Sequence, residues 1–533
     1  MTEFTLLMLE ISGIQDFIFG SNNLRINVSS SALIFAVTNQ WIPDILPGLY
    51  SVDSSGERVP RNKDTRPNNL NVECIYMGGG NAFLIFEDAE NSQQFVRKIS
   101  RRLLLEAPDL RAVIATTPFD WEKDILVKKH KALRSALAEK KQQLAPNRLK
   151  PAAAVGAVCS FTGQAASQTW FEHLISPSVA TRLNYYLSEA DNYLTELVPD
   201  ITEAGFAIIK DFDEFGGEGN SFMAVVHADG NRMGERIKAL GSDCAAPEKN
   251  REYVHRLRTF SQSAHEAAQT ALQDTALHLL KAKRWDSQKK EWCWQRQNGV
   301  QPADRERLPK VVLKDNLFPF RPIVFGGDDV TFVCDGRVGL ALAQHYLTTY
   351  GEQELADGKK AVGRAGIAIV NTHYPFAQAY GLAEELASSA KSEGEAGKLA
   401  SLDWHFGVNG VLDPLKAIRE TSYTVTGGSL HFRPVRLAGK DRPNWATFTG
   451  LVSQFQIGDE WRNKRSKLKG LQTALRGGPT ETRAYLLKYG LQSLPQVDAS
   501  KPQFETDGWV GGRCPYFDAL EAMDFFIPLE EPA

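Results

Sequence analysis

The stretch RPIVFGGDDVTFVCDG, residues 321–336, sets two adjacent carboxylates, Asp328 and Asp329, behind two glycines and between two apolar runs. Two readings are open. Gly-Gly followed by Asp is ordinary hairpin chemistry, because glycine accepts positive φ and Asp bonds its own backbone. The alternative is a metal site, since hard divalent cations take oxygen ligands, and Mg²⁺ is often held by one or two carboxylates plus substrate phosphates. A third acid, Asp229, ends the apolar run SFMAVVHADG and adds weight to the second reading.

The elements that must position these acids follow from hydrophobic periodicity. SFMAVVHADG reads as a strand, and a helix is expected to begin near Asn231. A long helix is expected over about 251–284 and a polar, Trp-bearing insertion over about 285–318. Strands then flank the GGDD turn, VGLALAQHYLTTYGEQEL reads as a helix, and RAGIAIVN closes as a strand. The order β-α-β-β-α-β is the ferredoxin-like plan with an antiparallel sheet, an α+β fold. In that plan the first and third strands are neighbours, so Asp229, Asp328 and Asp329 converge at one sheet end as candidate catalytic and metal-binding residues. Two Mg²⁺ or Mn²⁺ ions there would clamp the attacking and leaving oxygens of a nucleotidyl transfer. Gly326 and Gly327 would let a nucleotide approach the backbone. Gly230 and Asn231, at the start of the next helix, would offer N–H groups to phosphate.

The N-terminal region repeats this plan. TLLMLEISG, NVECIYMGGGNAFLIF, AENSQQFVRKISRRLLLEA and LRAVIATT follow the same order, and MGGGNA stands where FGGDDV stands in the second copy. The glycines match and both acids are replaced, which indicates an internal duplication whose first copy has lost its metal ligands. The expected division is a degenerate first domain over 1–119, a helical connecting region over 120–205, a GGDD-bearing second domain over 206–430 and a helical C-terminal domain over 431–533.

Composition bounds the class. The chain has 533 residues, 43% apolar and 23% charged, and a net charge of −3, so several cores are expected and a bulk polycation is excluded. No run of apolar residues is long enough to span a bilayer. The N-terminus carries Glu3 and Glu10 and does not read as a signal peptide. Cysteines 74, 159, 244, 293, 334 and 514 are far apart, which suits reduced thiols in the cytoplasm and argues against a structural zinc site.

With ADGNRMG, FGGDD and the upstream EISGIQDFIFG in view, the sequence resembles the large polymerase-like subunit of type III CRISPR effector complexes. That family has two palm domains related to GGDEF nucleotide cyclases. The resemblance implies conversion of ATP to cyclic oligoadenylates in antiviral defence, two metal ions at the active palm, and RNA or other effector subunits as partners. It maps the metal-binding acids onto Asp229, Asp328 and Asp329, and nucleotide contacts onto Gly326, Gly327, Gly230 and Asn231. Lys391 and Lys398 fall where related cyclases place phosphate-binding lysines, although a solvated helix end suits each equally. Glu10, Ser12 and Gly79 fall in the first palm, which in this family helps hold a second ATP. The family's histidine-aspartate nuclease domain and cysteine cluster have no counterpart in this sequence, where AVCSFTGQAA keeps only Cys159.

Other features are weaker. His227 is expected to support Asp229 rather than bind metal. KAKRWDSQKKEWCWQRQ could stack and bind single-stranded RNA, or pack Trp285, Trp292 and Trp294 against the insertion. The basic runs at 128–141 and 462–469 are ordinarily solvated faces. The rival to a cyclase is a catalytically quiet nucleotide- or RNA-binding scaffold. A GTP-using dinucleotide cyclase is disfavoured by the duplicated palm.

Overall fold

The computed structural model describes residues 4–52, 57–61, 70–143, 156–215, 221–393, 397–407, 413–439, 444–498 and 500–530. Two six-stranded sheets dominate the architecture. The first contains β1 (Phe4–Ser12), β2 (Leu49–Val52), β3 (Arg58–Pro60), β4 (Val72–Gly78), β5 (Asn81–Phe86) and β6 (Arg111–Phe119), in the order β3-β2-β4-β5-β1-β6. Helices α1 (Ile14–Phe19), α2 (Leu24–Ala36) and α3 (Ala89–Glu106) belong to this half. Beyond it comes α4 (Leu126–Gln143).

The second sheet is opened by β7 (Phe222–Gly230), followed by α5 (Met233–Leu240) and the long α6 (Asn250–Lys281). A separate three-stranded sheet, β8 (Arg284–Asp286), β9 (Glu291–Gln295) and β10 (Lys310–Val312), occupies the insertion. Then come β11 (Phe320–Phe325), β12 (Asp329–Asp335), α7 (Gly339–Glu352), β13 (Gly363–Asn371), α8 (Phe376–Glu393), β14 (Ser401–Gly407) and β15 (Val435–Arg436). The order is β11-β12-β7-β13-β14-β15. Four consecutive strands at one side of each sheet, β4-β5-β1-β6 and β11-β12-β7-β13, follow the expected ferredoxin-like order and are antiparallel. The sheets as wholes are mixed, because β2 runs parallel to β4 and β14 parallel to β13. A wholly antiparallel sheet was the expectation. Here each sheet is extended on one edge, and the added strand reaches its place by a crossover, which permits parallel pairing.

The two halves repeat each other to the level of single residues. β7 pairs with β12 so that Asp229 lies opposite Asp329, and β1 pairs with β5 so that Glu10 lies opposite Asn81. The Gly230 amide donates to the Asp328 carbonyl at 3.1 Å, and the Ile11 amide donates to the Gly80 carbonyl at 2.8 Å. The hairpin ladder slips at matching positions, between Pro322 and Val324 in one half and between Cys74 and Tyr76 in the other. A β-bulge is a costly interruption of pairing, so its recurrence at one place argues for common descent of the halves.

Each half lends its first long helix to the other. α2 packs on β11, and α6 packs on β4. At the second contact Arg258 of α6 donates to the Glu73 carboxylate at 3.0 Å and to the Cys74 carbonyl at 2.8 Å, with Arg251 at 2.5 Å from the same acid. Glu73 is 2% exposed and ion-paired on both sides, as a buried charge must be. The chain ends in helices that include α9 (Trp445–Ile457), α10 (Arg465–Arg476) and α11 (Tyr516–Ala522). Buried Arg433 joins this region to the second sheet through Asp518 at 2.8 Å and Glu521 at 3.2 Å. No described helix is long and apolar enough to cross a membrane.

Candidate active site

The end of β7 and the β11–β12 turn bring the three aspartates together. Asp229 and Asp329 are cross-strand neighbours, and Asp328 leans over Gly230. A methyl group added at Gly230 would lie 2.8 Å from Asp328 Cβ and 2.9 Å from the Tyr350 hydroxyl, so glycine is required there by close approach. Gly326 and Gly327 differ in their surroundings. Gly327 has φ +87° and open space beside it, which suits approach by a ligand. Gly326 instead faces the other half. A Cβ at Gly79, which has φ +57°, would sit 2.8 Å from the Gly326 carbonyl oxygen. The two glycine turns thus touch back to back, and the glycines at 79 and 326 serve that contact.

The site carries excess negative charge. Asp328 is pushed up to about 7, first by burial and then by Asp229 and Asp329. Asp329 is likewise pushed up to about 7, by burial and then by Asp229 and Glu384. Asp329 Oδ1 is buried without a hydrogen bond, although the side chain as a whole keeps 42% exposure. One cation from the chain offsets part of this charge. Arg364, at the start of β13, pairs with Asp229 and donates to Asn231 Oδ1 at 2.8 Å. Arg364 was missed in the sequence, yet the strand order contains the signal. β13 flanks β7, and Arg364 is the residue opposite Asp229.

Among the described residues no group of three or more His, Cys, Asp or Glu side chains is placed so that it could hold a metal ion. The donor type is nonetheless the one that a hard divalent cation takes. All three are carboxylates, they crowd one sheet end, and one oxygen, Asp329 Oδ1, is enclosed without a hydrogen bond.

Other expected residues separate into those near this centre and those away from it. Asn231 is 2% exposed, and its amide nitrogen has no hydrogen bond. Its backbone N–H is taken by the Val362 carbonyl at 2.7 Å, and α5 begins only at Met233 after Arg232 in a left-handed conformation. The expected free N–H groups at Gly230 and Asn231 are therefore already used. Lys398 is exposed and, with Asn231, Arg232, Glu235, Arg236, Lys359 and Lys360, lines a cavity of about 420 Å³ that includes none of the three aspartates. Lys391 is exposed in the last turn of α8 and is not part of that lining. His227 is 6% exposed, with Nδ1 3.4 Å from Asp329 Oδ1 and 3.4 Å from Thr331 Oγ1. Burial holds it below the usual histidine range, so it stands as a neutral neighbour of Asp329.

In the first half Glu10 is ion-paired with Lys141 of α4. Ser12 ends β1 half-buried opposite Arg111. Part of the basic run in α4 is also used internally, with Lys129 donating to the Pro118 carbonyl at 2.9 Å and Lys140 to that of Ile114 at 2.7 Å.

The chain is similar to known proteins. Residues 222–400, from β7 to the edge of β14, match the family described as Cas10/Cmr2, second palm domain. The second sheet is thus similar to a Cas10/Cmr2 palm. Solved structures extend the likeness in fold to both palms. A Csm1–Csm4 cassette in complex with cA4 aligns over 98% of this chain and 69% of its own, with a TM-score of 0.53 and 16% identity. Csm1 in T. onnurineus aligns over 98% and 70%, with a TM-score of 0.52 and 15% identity. A Csm1–Csm4 cassette in complex with one ATP aligns over the same shares, with a TM-score of 0.51 and 15% identity. No curated protein matches the sequence. The Cas10-type palm is the half that carries GGDD, and the first sheet is its structural counterpart without those acids.

Proposed function

We propose that this protein is a metal-dependent nucleotidyltransferase that makes cyclic oligoadenylate-type messengers from ATP in a type III CRISPR-like defence setting. The observation that carries this reading is the crowding of Asp229, Asp328 and Asp329 at one sheet end within the stretch that matches the Cas10/Cmr2 palm. Carboxylates so placed repel one another until cations join them. Asp229, Asp328 and Asp329 would hold Mg²⁺ or Mn²⁺. The bound ions supply charge neutralisation at the phosphate and lower the pKa of the attacking hydroxyl. The 3′-hydroxyl of one nucleotide attacks the α-phosphorus of the next, a P–O bond forms, and pyrophosphate leaves. Arg364 holds Asp229 and Asn231 in place. The cavity at Asn231, where Lys359, Lys360 and Lys398 outnumber Glu235, would offer a place for phosphates, and open Gly327 would let the nucleotide lie against the backbone. In the first palm Lys141 offsets Glu10, so that half would hold a partner nucleotide without metal chemistry.

The solved Csm1–Csm4 cassettes in complex with cA4 and with one ATP make adenine nucleotides the first candidates. The deciding experiment is mass spectrometry of the products after incubation with all four nucleoside triphosphates and Mn²⁺. Cyclic or linear oligoadenylates are expected, and their absence overturns the assignment. A scaffold role is the second reading. It is favoured by the Arg364–Asp229 pair, in which an internal cation already occupies one metal-binding acid.

A further inference from the structure

The insertion between α6 and β11 has no part in the site described above, and its chemistry is distinctive. Residues 281–314 contain ten Lys or Arg and four Asp or Glu, a net charge of +6 in a chain of net −3. β8 and β9 form a hairpin in which Trp285 lies directly opposite Trp292. The two rings meet edge to face at 5.4 Å between centroids. Trp285 is 52% exposed and Trp292 is 37% exposed. Trp294, two residues on, is fully buried and donates its indole N–H to the Leu279 carbonyl at 2.7 Å. One tryptophan therefore anchors the insertion on α6, while the other two are left on its surface. Anchoring is reinforced by Arg296, which donates to Gln456 of α9 at 3.0 Å.

Charge around the exposed pair is one-sided. The hairpin's two acids, Asp286 and Glu291, both bind Lys310 of β10, at 2.8 and 2.7 Å. Lys289 and Lys290 at the hairpin tip are exposed, as is Lys281 at the end of α6. Lys283 extends over the Trp292 ring at 5.4 Å. Exposed tryptophan is costly in water, and an aromatic pair rimmed by cations matches one kind of partner in both respects. A single-stranded polynucleotide presents unpaired base faces for stacking and phosphates for the lysines. A duplex hides its base faces, and an acidic polypeptide offers none.

We propose that the Trp285–Trp292 hairpin, with Lys281, Lys289 and Lys290, is a docking surface for single-stranded polynucleotide, held apart from the GGDD centre on its own small sheet. Bases stack on the exposed indoles, and the tip lysines follow the backbone.

The test uses the full chain and fluorescently labelled oligouridylate and oligodeoxythymidylate of about ten nucleotides. Binding is measured at about 50 mM and about 200 mM salt, with a duplex of the same length and polyglutamate as competitors. Single strands are expected to bind, to quench tryptophan fluorescence, and to weaken steeply with salt. W285A/W292A should weaken binding about tenfold or more, the loss of one or two stacked bases. K289E/K290E should weaken it and flatten the salt dependence. W285F/W292F keeps aromatic faces and should retain most of the affinity, which separates stacking from a folding defect. ATP turnover without polynucleotide should be unchanged in each variant, so failure of the proposed catalysis leaves this test intact. Absence of single-strand binding, equal competition by duplex or polyglutamate, or wild-type affinity in W285A/W292A overturns the proposal.

Discussion

At the scale of single residues, the site depends on charge concentrated where water is partly excluded. Asp329→Asn keeps the shape of a half-exposed turn residue and removes an anionic ligand. Product formation should fall about a hundredfold or more, on the order of 3 kcal/mol of transition-state stabilisation, with little change in melting temperature. Near-normal turnover in both Asp328→Asn and Asp329→Asn would contradict the metal role. A second residue-scale expectation concerns His130 of α4, which is buried with Nδ1 2.8 Å from the Tyr253 hydroxyl of α6. Burial, then Arg134, pushes its pKa down to about 4, against about 6.5 in the unfolded chain. Between those values the unfolded state binds a proton that the folded state excludes, so this group's contribution to stability is lost as pH falls from about 6.5 towards 4. His130→Gln removes that penalty. Its stability deficit relative to the native chain should therefore shrink with falling pH, by at most about 3 kcal/mol. Urea titrations at a series of pH values measure this, and a pH-independent difference would refute it.

At the scale of elements, the informative contact is turn against turn. Gly79 belongs to the half without GGDD, yet it touches the backbone of Gly326. Gly79→Val combines a β-branched residue at φ +57° with a collision against that carbonyl, and should cost about 2 kcal/mol or more of stability. It should also lower product formation by displacing a turn in the other palm. Gly327→Ala, at φ +87° with open space, carries backbone strain without the collision and should be milder, about 1–2 kcal/mol. Denaturant unfolding and product assays on the two variants check the order, and a reversed order would show that the turns do not depend on each other.

At the scale of the whole molecule, two repeated palms have diverged in charge. Across the strand pair that holds Asp229 and Asp329 in one palm, the other holds Glu10 and Asn81, with Lys141 beside Glu10. A divalent cation entering the first palm would lose hydration for little return. We expect two ATP molecules per chain by calorimetry, with the Mn²⁺ response belonging to the second palm. Mn²⁺ should raise the melting temperature of the native chain and of Glu10→Gln, and should do so far less in Asp328→Asn/Asp329→Asn. An equal loss of response in Glu10→Gln would show metal in both palms.

Local pattern carried much of this architecture. Period-two apolar runs ending in Asp229 and flanking Asp328–Asp329 specify strands, and the order of helices and strands specifies which strands are neighbours, because short connections leave few alternatives. The repeat was readable in MGGGNA and FGGDDV for the same reason. The strands added beside β4 and β13 were harder to place: SLDWHFGV reads as a strand and forms β14, but the parallel pairing of β14 with β13 and of β2 with β4 has no local signature. Partner choice was harder still. Lys141 bonded to Glu10, Arg364 bonded to Asp229, and the contact between Gly79 and Gly326 join segments far apart along the chain. The three tryptophans of the insertion look alike in sequence, yet Trp294 is buried against α6 while Trp285 and Trp292 face solvent. Burial and ion pairing depend on what the folded chain places opposite a residue, and composition around that residue carries no record of it.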